Sequence, residues 1–154
     1  MNKEYFKILK EISSLENARD KLLYENSEET ARVDKLRQRQ ADEDLERTTL
    51  KENLKELKTK SVKNENELES ASAKLHKIKA DIAASVDSKN MEKMEHQAET
   101  ISAEIEKLEN EGFELLEELE RLESEISEKE TFLAGISETI EEIKEEVAKV
   151  AGEN

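Results

Sequence analysis

Residues 104–126 read EIEKLENEGFELLEELERLESEI, a run of glutamate, leucine and isoleucine with one glycine near its middle. Its apolar residues recur at alternating steps of three and four, from Ile105 through Leu108, Leu115 and Leu122 to Ile126. A narrow apolar seam that repeats every 3.5 residues is typical of a left-handed coiled coil, since a helix on a globular core has a wider stripe. Only Gly112 interrupts this seam.

The same spacing extends outward from Met91 to Val150 without a change of phase. Sixteen of its eighteen core positions are apolar, and the exceptions are Gly112 and Lys129. The residues before it follow one phase from Tyr5 to Ser85, but with more exceptions. Nine of those 24 positions are small or polar, namely Arg19, Asn26, Glu29, Gln40, Glu43, Arg47, Ser61, Asn64 and Ser85. The sequence therefore predicts two long helices, the first with a weaker middle.

Residues 86–90, VDSKN, separate the two seams and form the predicted hairpin tip, with Asp87, Ser88, Lys89 and Asn90 as its polar residues. Asp and Ser can begin a helix by accepting hydrogen bonds from its free N–H groups. We predict an all-α fold, a long antiparallel two-helix coiled-coil hairpin that forms a single domain over residues 1–154. Its first arm covers about 3–85, its turn 86–90 and its second arm about 91–150. A parallel oligomer is the alternative.

An apex near Ser88 makes the numbers of paired residues sum to 176. Apolar residues then share layers throughout, as in Ile82 with Met94, Leu57 with Leu119 and Val33 with Ile143. The exceptions also coincide, because Asn64 falls opposite Gly112 and Arg47 opposite Lys129. Lysine and arginine beside the first seam come near glutamates of the second in five pairs: Lys58 with Glu123, Lys51 with Glu130, Lys60 with Glu118, Lys74 with Glu104 and Arg32 with Glu146. Such pairs disfavour other registers.

This register leaves the first 21 residues without a partner helix, so the first arm has an N-terminal overhang. Its apolar residues are the candidate partner surface: Tyr5, Phe6, Ile8, Leu9, Ile12, Leu15, Leu22 and Leu23. A stripe of this size is expected to form a homodimer, fold back or bind another protein. Asn26 and Glu29 have capping-box spacing, which allows a break and a fold-back; one continuous helix is the other alternative.

Composition and charge exclude several classes of function. The chain has no cysteine, proline or tryptophan, 42% charged residues and a net charge of −15. Residues 1–88 hold 18 basic and 19 acidic side chains, whereas residues 89–154 hold 7 and 21. The acidic second arm disfavours nucleic acid, although Lys51, Lys55, Lys58, Lys60 and Lys63 keep RNA binding as an alternative. With no signal peptide and no membrane-spanning run in these residues, a cytoplasmic protein without membrane contact is expected.

No residue pattern indicates catalysis. His76 and His96 are the only histidines, and neither has a second histidine or a cysteine at helical spacing that would complete a typical zinc site. Carboxylates along a solvated helix lack the pocket that separates an acid from a base. The chain is predicted to be no enzyme and to hold no metal or cofactor.

The residues KNMEKMEHQAETISAEIEK (89–107) and LENEGFELLEELERLESEI (108–126) together resemble the second arm of a known coiled-coil hairpin. That hairpin belongs to bacterial proteins that end in a four-cysteine zinc ribbon. ILKEISSLENARDKL (8–22) is similar to the start of the family's first helix. The family departs from this chain at Asn90 and Met91, where it tends to have an acidic residue and an aromatic. Zinc is implied only if a ribbon follows residue 154.

The resemblance implies regulation of flagellar assembly or type III secretion, through the enhancer-dependent sigma factor RpoN or a secretion component. From the stripe and the resemblance, we expect a non-enzymatic protein-binding adaptor or chaperone. A structural spacer or oligomerisation module is the alternative, and RNA binding through residues 51–63 is less favoured.

Overall fold

In the computed structural model, two α-helices pack against each other as an antiparallel hairpin. Helix α1 spans Asn2–Ala84 and helix α2 spans Ser88–Glu153. The structure describes the backbone of residues 2–153 and the side chains of residues 2–150. The predicted all-α hairpin with an N-terminal overhang is confirmed.

The turn is shorter than predicted, because only residues 85–87 lie outside the helices. Asp87 begins α2: its Oδ1 accepts a hydrogen bond from Lys89 N at 3.1 Å, and its carbonyl accepts one from Met91 N at 3.0 Å. A side-chain oxygen that satisfies an N–H group of the first turn is a helix N-cap. The predicted tip residues Ser88, Lys89 and Asn90 therefore belong to the first turn of α2.

The burial of the seam follows the predicted phase. All eighteen predicted core positions of α2 are buried or half-buried, as are nineteen of the 24 on α1. The five exceptions on α1 are consecutive seam positions at its N-terminal end, namely Tyr5, Ile8, Ile12, Leu15 and Arg19. The apolar seam, rather than helix propensity, thus decides which face of each helix is covered.

The contacts cluster into two compact units. The terminal unit comprises Met1–Glu46 and Lys129–Asn154, and the turn unit comprises Arg47–Glu128. The single-domain hairpin over residues 1–154 stays a prediction. In the terminal unit, Val33 of α1 packs in one cluster with Ile136, Ile140 and Ile143 of α2. These are residues that the predicted register places in shared or adjacent layers.

In the turn unit, Asn64 of α1 and Gly112 of α2 share a layer, as predicted. Asn64 Nδ2 donates a hydrogen bond to the carbonyl of Leu108 at 3.0 Å. A Cβ atom built on Gly112 would lie 2.8 Å from Asn64 Oδ1, closer than van der Waals contact allows. Gly112 is therefore the residue that lets the asparagine reach the backbone of the facing helix.

Among the described residues, four of the five predicted flanking pairs form no ion pair, although Lys60 and Glu118 line the same groove. In the described part of the chain, no ion pair joins Lys58 to Glu123, Lys60 to Glu118, Lys74 to Glu104 or Arg32 to Glu146. Arg121 instead pairs along its own helix with Glu118 and Glu125, and Lys63 with Glu67. Exposed ion pairs are worth only about 0–1 kcal/mol, so long side chains choose among several carboxylates within reach.

Gly112 and Gly135 of α2 give a matched test of the Asn64 layer. Gly135→Ala should stabilise the chain by about 1 kcal/mol, because alanine is the better helix former and a Cβ there meets nothing within 4 Å. Gly112→Ala should gain much less, because Asn64 must move and lose a hydrogen bond worth about 0.5–1.5 kcal/mol. In an Asn64→Ala background the full gain should return. Urea unfolding measures the free energy of unfolding for each of these variants. Equal gains from Gly112→Ala and Gly135→Ala in the otherwise unchanged chain would show that Asn64 does not oppose a side chain at residue 112.

Candidate functional site

The strongest candidate for a functional site is the apolar stripe on the first five turns of α1. Every residue from 2 to 21 is exposed. Tyr5, Ile8, Ile12 and Leu15 follow the seam spacing and are 65%, 55%, 47% and 71% exposed. Phe6 and Leu9 lie beside them, 69% and 43% exposed. The face that α2 covers farther along α1 therefore continues here uncovered.

Leu22 departs from the prediction. It is half-buried, whereas the candidate surface included it among the uncovered residues. Leu23 points away from the seam and is 59% exposed. The stripe therefore consists of Tyr5, Phe6, Ile8, Leu9, Ile12 and Leu15.

The stripe does not fold back on the rest of the chain. Helix α1 is continuous from Asn2 to Ala84, so the capping-box spacing of Asn26 and Glu29 produces no break. Thr30 Oγ1 donates a hydrogen bond to the carbonyl of Asn26 at 2.8 Å, as a threonine does inside a helix. The alternative of one continuous helix is the one that the structure adopts.

Lys129, the other predicted core exception, has partners that sequence reasoning missed. Its Nζ donates hydrogen bonds to Glu43 Oε2 and Glu46 Oε2, each at 2.5 Å. The lysine side chain is 24% exposed and that of Glu43 is 20% exposed. The two hydrogen bonds, first to Glu43 and then to Glu46, raise the pKa of Lys129 above its ordinary 10.5. A charged residue on the seam is thus neutralised by carboxylates from the facing helix.

The hairpin turn and the lysine stretch are weaker candidates for a binding site than the stripe. Asp87, Ser88, Lys89 and Asn90 are exposed around the turn, beside a fully exposed Val86.

In the lysine stretch, Lys60 and Lys63 line a groove together with three α2 glutamates, Glu111, Glu114 and Glu118. These carboxylates lower the positive potential around the lysines, so the structure around the lysine stretch does not favour RNA binding.

The two histidines lie on the helix surface, where His76 and His96 are both exposed. Among the described residues, no group of three or more histidine, aspartate or glutamate side chains is placed to hold a metal ion. Within the same residues, neither helix has a stretch long and apolar enough to cross a bilayer.

Comparison of the chain with protein-family models, with curated proteins and with solved structures gave no match. The class that the fold itself defines is the two-helix coiled-coil hairpin. Its candidate sites are contact surfaces on exposed helix faces.

The raised pKa of Lys129 gives a testable pH dependence. The folded chain holds this proton more tightly than the unfolded chain does, so the stabilisation is complete below the ordinary pKa of 10.5. It is lost as the pH rises through the higher pKa of the folded state. Lys129→Arg keeps its charge there. Between about pH 9 and about pH 12, the unchanged chain should therefore lose more of its free energy of unfolding than Lys129→Arg does.

Lys144→Arg is the matched control, because Lys144 lies on the same helix, is 49% exposed and pairs with Glu141 only at 3.9 Å. This substitution should leave the alkaline loss of stability unchanged. Thermal unfolding followed by circular dichroism at each pH measures the difference. If Lys129→Arg and Lys144→Arg changed the pH profile equally, the two hydrogen bonds of Lys129 would have no special role.

Proposed function

We propose that this chain is a non-enzymatic, protein-binding coiled-coil adaptor or chaperone, and that the stripe is its contact surface. The observation that carries the proposal is the exposure of six large apolar side chains on one helix. Large exposed apolar patches on soluble proteins mark interaction sites. Helices with apolar residues at coiled-coil spacing bind other helices or grooves.

The resemblance to the zinc-ribbon family supports a regulatory partner in flagellar assembly or type III secretion. The sigma factor RpoN and secretion components are the candidates. The chaperone role follows from that resemblance, and we propose it together with a cytoplasmic location. The chain alone offers no zinc ligands of the ribbon type, because it contains no cysteine.

The chemistry of the stripe also favours a protein partner over nucleic acid. Residues 2–21 hold five basic and four acidic side chains, so their charge is nearly balanced. Binding to a phosphate backbone depends on an excess of cations. Burial of apolar side chains is instead the main favourable term in protein association.

Replacing the centre of the stripe tests the proposal. Ile8→Ser with Ile12→Ser removes two apolar anchors, and serine and isoleucine have similar helix propensities. Because both side chains are exposed, the helicity and melting temperature should stay nearly unchanged. Affinity capture followed by titration of each purified captured protein should show about tenfold or greater loss of binding. The control is Val62→Ser, which changes a 55% exposed residue elsewhere on α1 and should leave the binding unchanged. A partner that binds the Ile8 and Ile12 double variant as tightly as the Val62→Ser variant would contradict the proposal.

A second candidate function is self-association, because the stripe is self-complementary. In an antiparallel pair whose residue numbers sum to 20, Tyr5 meets Leu15 of a second copy and Ile8 meets Ile12 of that copy. The four resulting layers are all apolar, and Leu9 of each copy lies beside the two-fold axis. A two-fold interface requires this kind of self-match.

Single cysteines distinguish the arrangements, since the natural chain has none. A short thiol crosslinker should join Leu9→Cys to itself in the antiparallel dimer. Tyr5→Cys should not crosslink there, because ten residues of helical rise separate its two copies by about 15 Å. In a parallel dimer, Tyr5→Cys should crosslink instead. The Ile8→Ser and Ile12→Ser changes in the same chain should abolish either product, and a monomeric mass at all concentrations would exclude self-association.

A further inference from the structure

A second apolar surface lies in the turn unit, beside the layer of Asn64 and Gly112. There the two helices leave a groove because residue 112 has no side chain. The groove is lined by Ser61, Glu65, Leu68, Glu109, Phe113 and Leu116. It is separate from the stripe in sequence, and Gly112 and Asn64 complete its lining.

Two large apolar side chains stand open to solvent at this groove. Phe113 is 64% exposed and Leu116 is 53% exposed. They are three residues apart on α2, so their side chains are neighbours on the helix surface. Together with the half-buried Leu68 below them, they form a continuous apolar contact area.

Phe132 of the same helix has a cation over its ring, whereas Phe113 does not. Phe132 lies under the guanidinium of Arg39, whose Cζ is 5.0 Å from the ring centre. No such cation stands over Phe113 within the described residues. The face of this ring is therefore open to a cation from elsewhere.

The charges at the groove are of one sign. Glu65 and Glu109 line it, and no ion pair in the described part of the chain involves either carboxylate. On the opposite side of the same layer, Lys60 and Lys63 stand beside the α2 glutamates. The groove that holds Phe113 thus combines apolar anchors with two carboxylates that form no ion pair with another described residue.

We propose that this groove binds a basic amphipathic helix of another protein. The partner's apolar residues, spaced three or four apart, would contact Phe113 and Leu116. Its lysine or arginine side chains would pair with Glu65 and Glu109 or lie over the Phe113 ring. The 21 acidic and 7 basic side chains of residues 89–154 attract such a helix and repel an acidic one. This site is independent of the stripe and goes beyond the function proposed above.

Three synthetic peptides test the proposal by fluorescence anisotropy with the full chain. The first is an amphipathic helix with leucines at positions i, i+3, i+4 and i+7 and lysine or arginine elsewhere. The second replaces every basic residue by glutamate, and the third scrambles the order of the first. The first should bind, and the other two should bind at least about tenfold more weakly.

Variants of the chain locate the binding. Phe113→Ser with Leu116→Ser should weaken the first peptide about tenfold or more, and Glu65→Gln with Glu109→Gln should weaken it and reduce its salt dependence. The Val62→Ser variant and the Ile8→Ser, Ile12→Ser variant should bind as the unchanged chain does. Circular dichroism should show the same helicity for all of them, since the replaced side chains are exposed.

Several results would overturn the proposal. Equal binding of the ordered and scrambled basic peptides would show general charge attraction only. Equal binding by the Phe113 and Leu116 double variant would place the contact elsewhere. Loss of binding in the Ile8 and Ile12 double variant would assign the peptide to the stripe. None of these results affects the capture experiment on the stripe, so the two proposals fail separately.

Discussion

Each core layer of this hairpin contains one side chain from α1 and one from α2, and the rest of the structure depends on this pairing. A layer of two residues gives a polar group few neighbours, so a polar residue on one helix is best satisfied by a partner on the facing one. Within the described residues, Glu29 Oε2 is a buried atom that lacks such a partner. The partners differ in kind. Asn64 donates to a backbone carbonyl across a glycine, and Gln40 Nε2 donates to Ser137 Oγ at 2.8 Å. Lys129 is held by two carboxylates.

These matched layers also determine the register. An apolar coiled-coil seam can shift by one heptad with little loss, because leucine fits against leucine in either alignment. A shift would separate Asn64 from Gly112 and leave a buried amide facing an apolar side chain, at a cost of about 1–3 kcal/mol. The polar residues that weaken the seam locally therefore exclude other registers of the two helices, as a single polar core residue does in other coiled coils.

The sequence predicted the fold and its register well because both depend on the order of apolar and polar residues. The eighteen core positions of α2 and the facing of Asn64 and Gly112 were confirmed on that basis. The ion pairs that Lys63, Arg121 and Lys129 form were not predicted, because long side chains select among several carboxylates at similar distances. The groove at Phe113 was missed for another reason. Phe113 and Leu116 lie outside the seam, and an exposed apolar residue there is ordinary unless the structure shows that it lines a groove, as these two do beside Gly112.

The overhang of α1 has a further physical consequence. An isolated helix of about 20 residues is only marginally stable in water, because starting a helix is unfavourable while extending one is not. Residues 2–21 extend a helix that packing against α2 already holds in place, so no new start is needed. The stripe is therefore presented in helical form before any partner arrives. A partner then loses less free energy to ordering this segment, and more of the apolar burial contributes to its affinity.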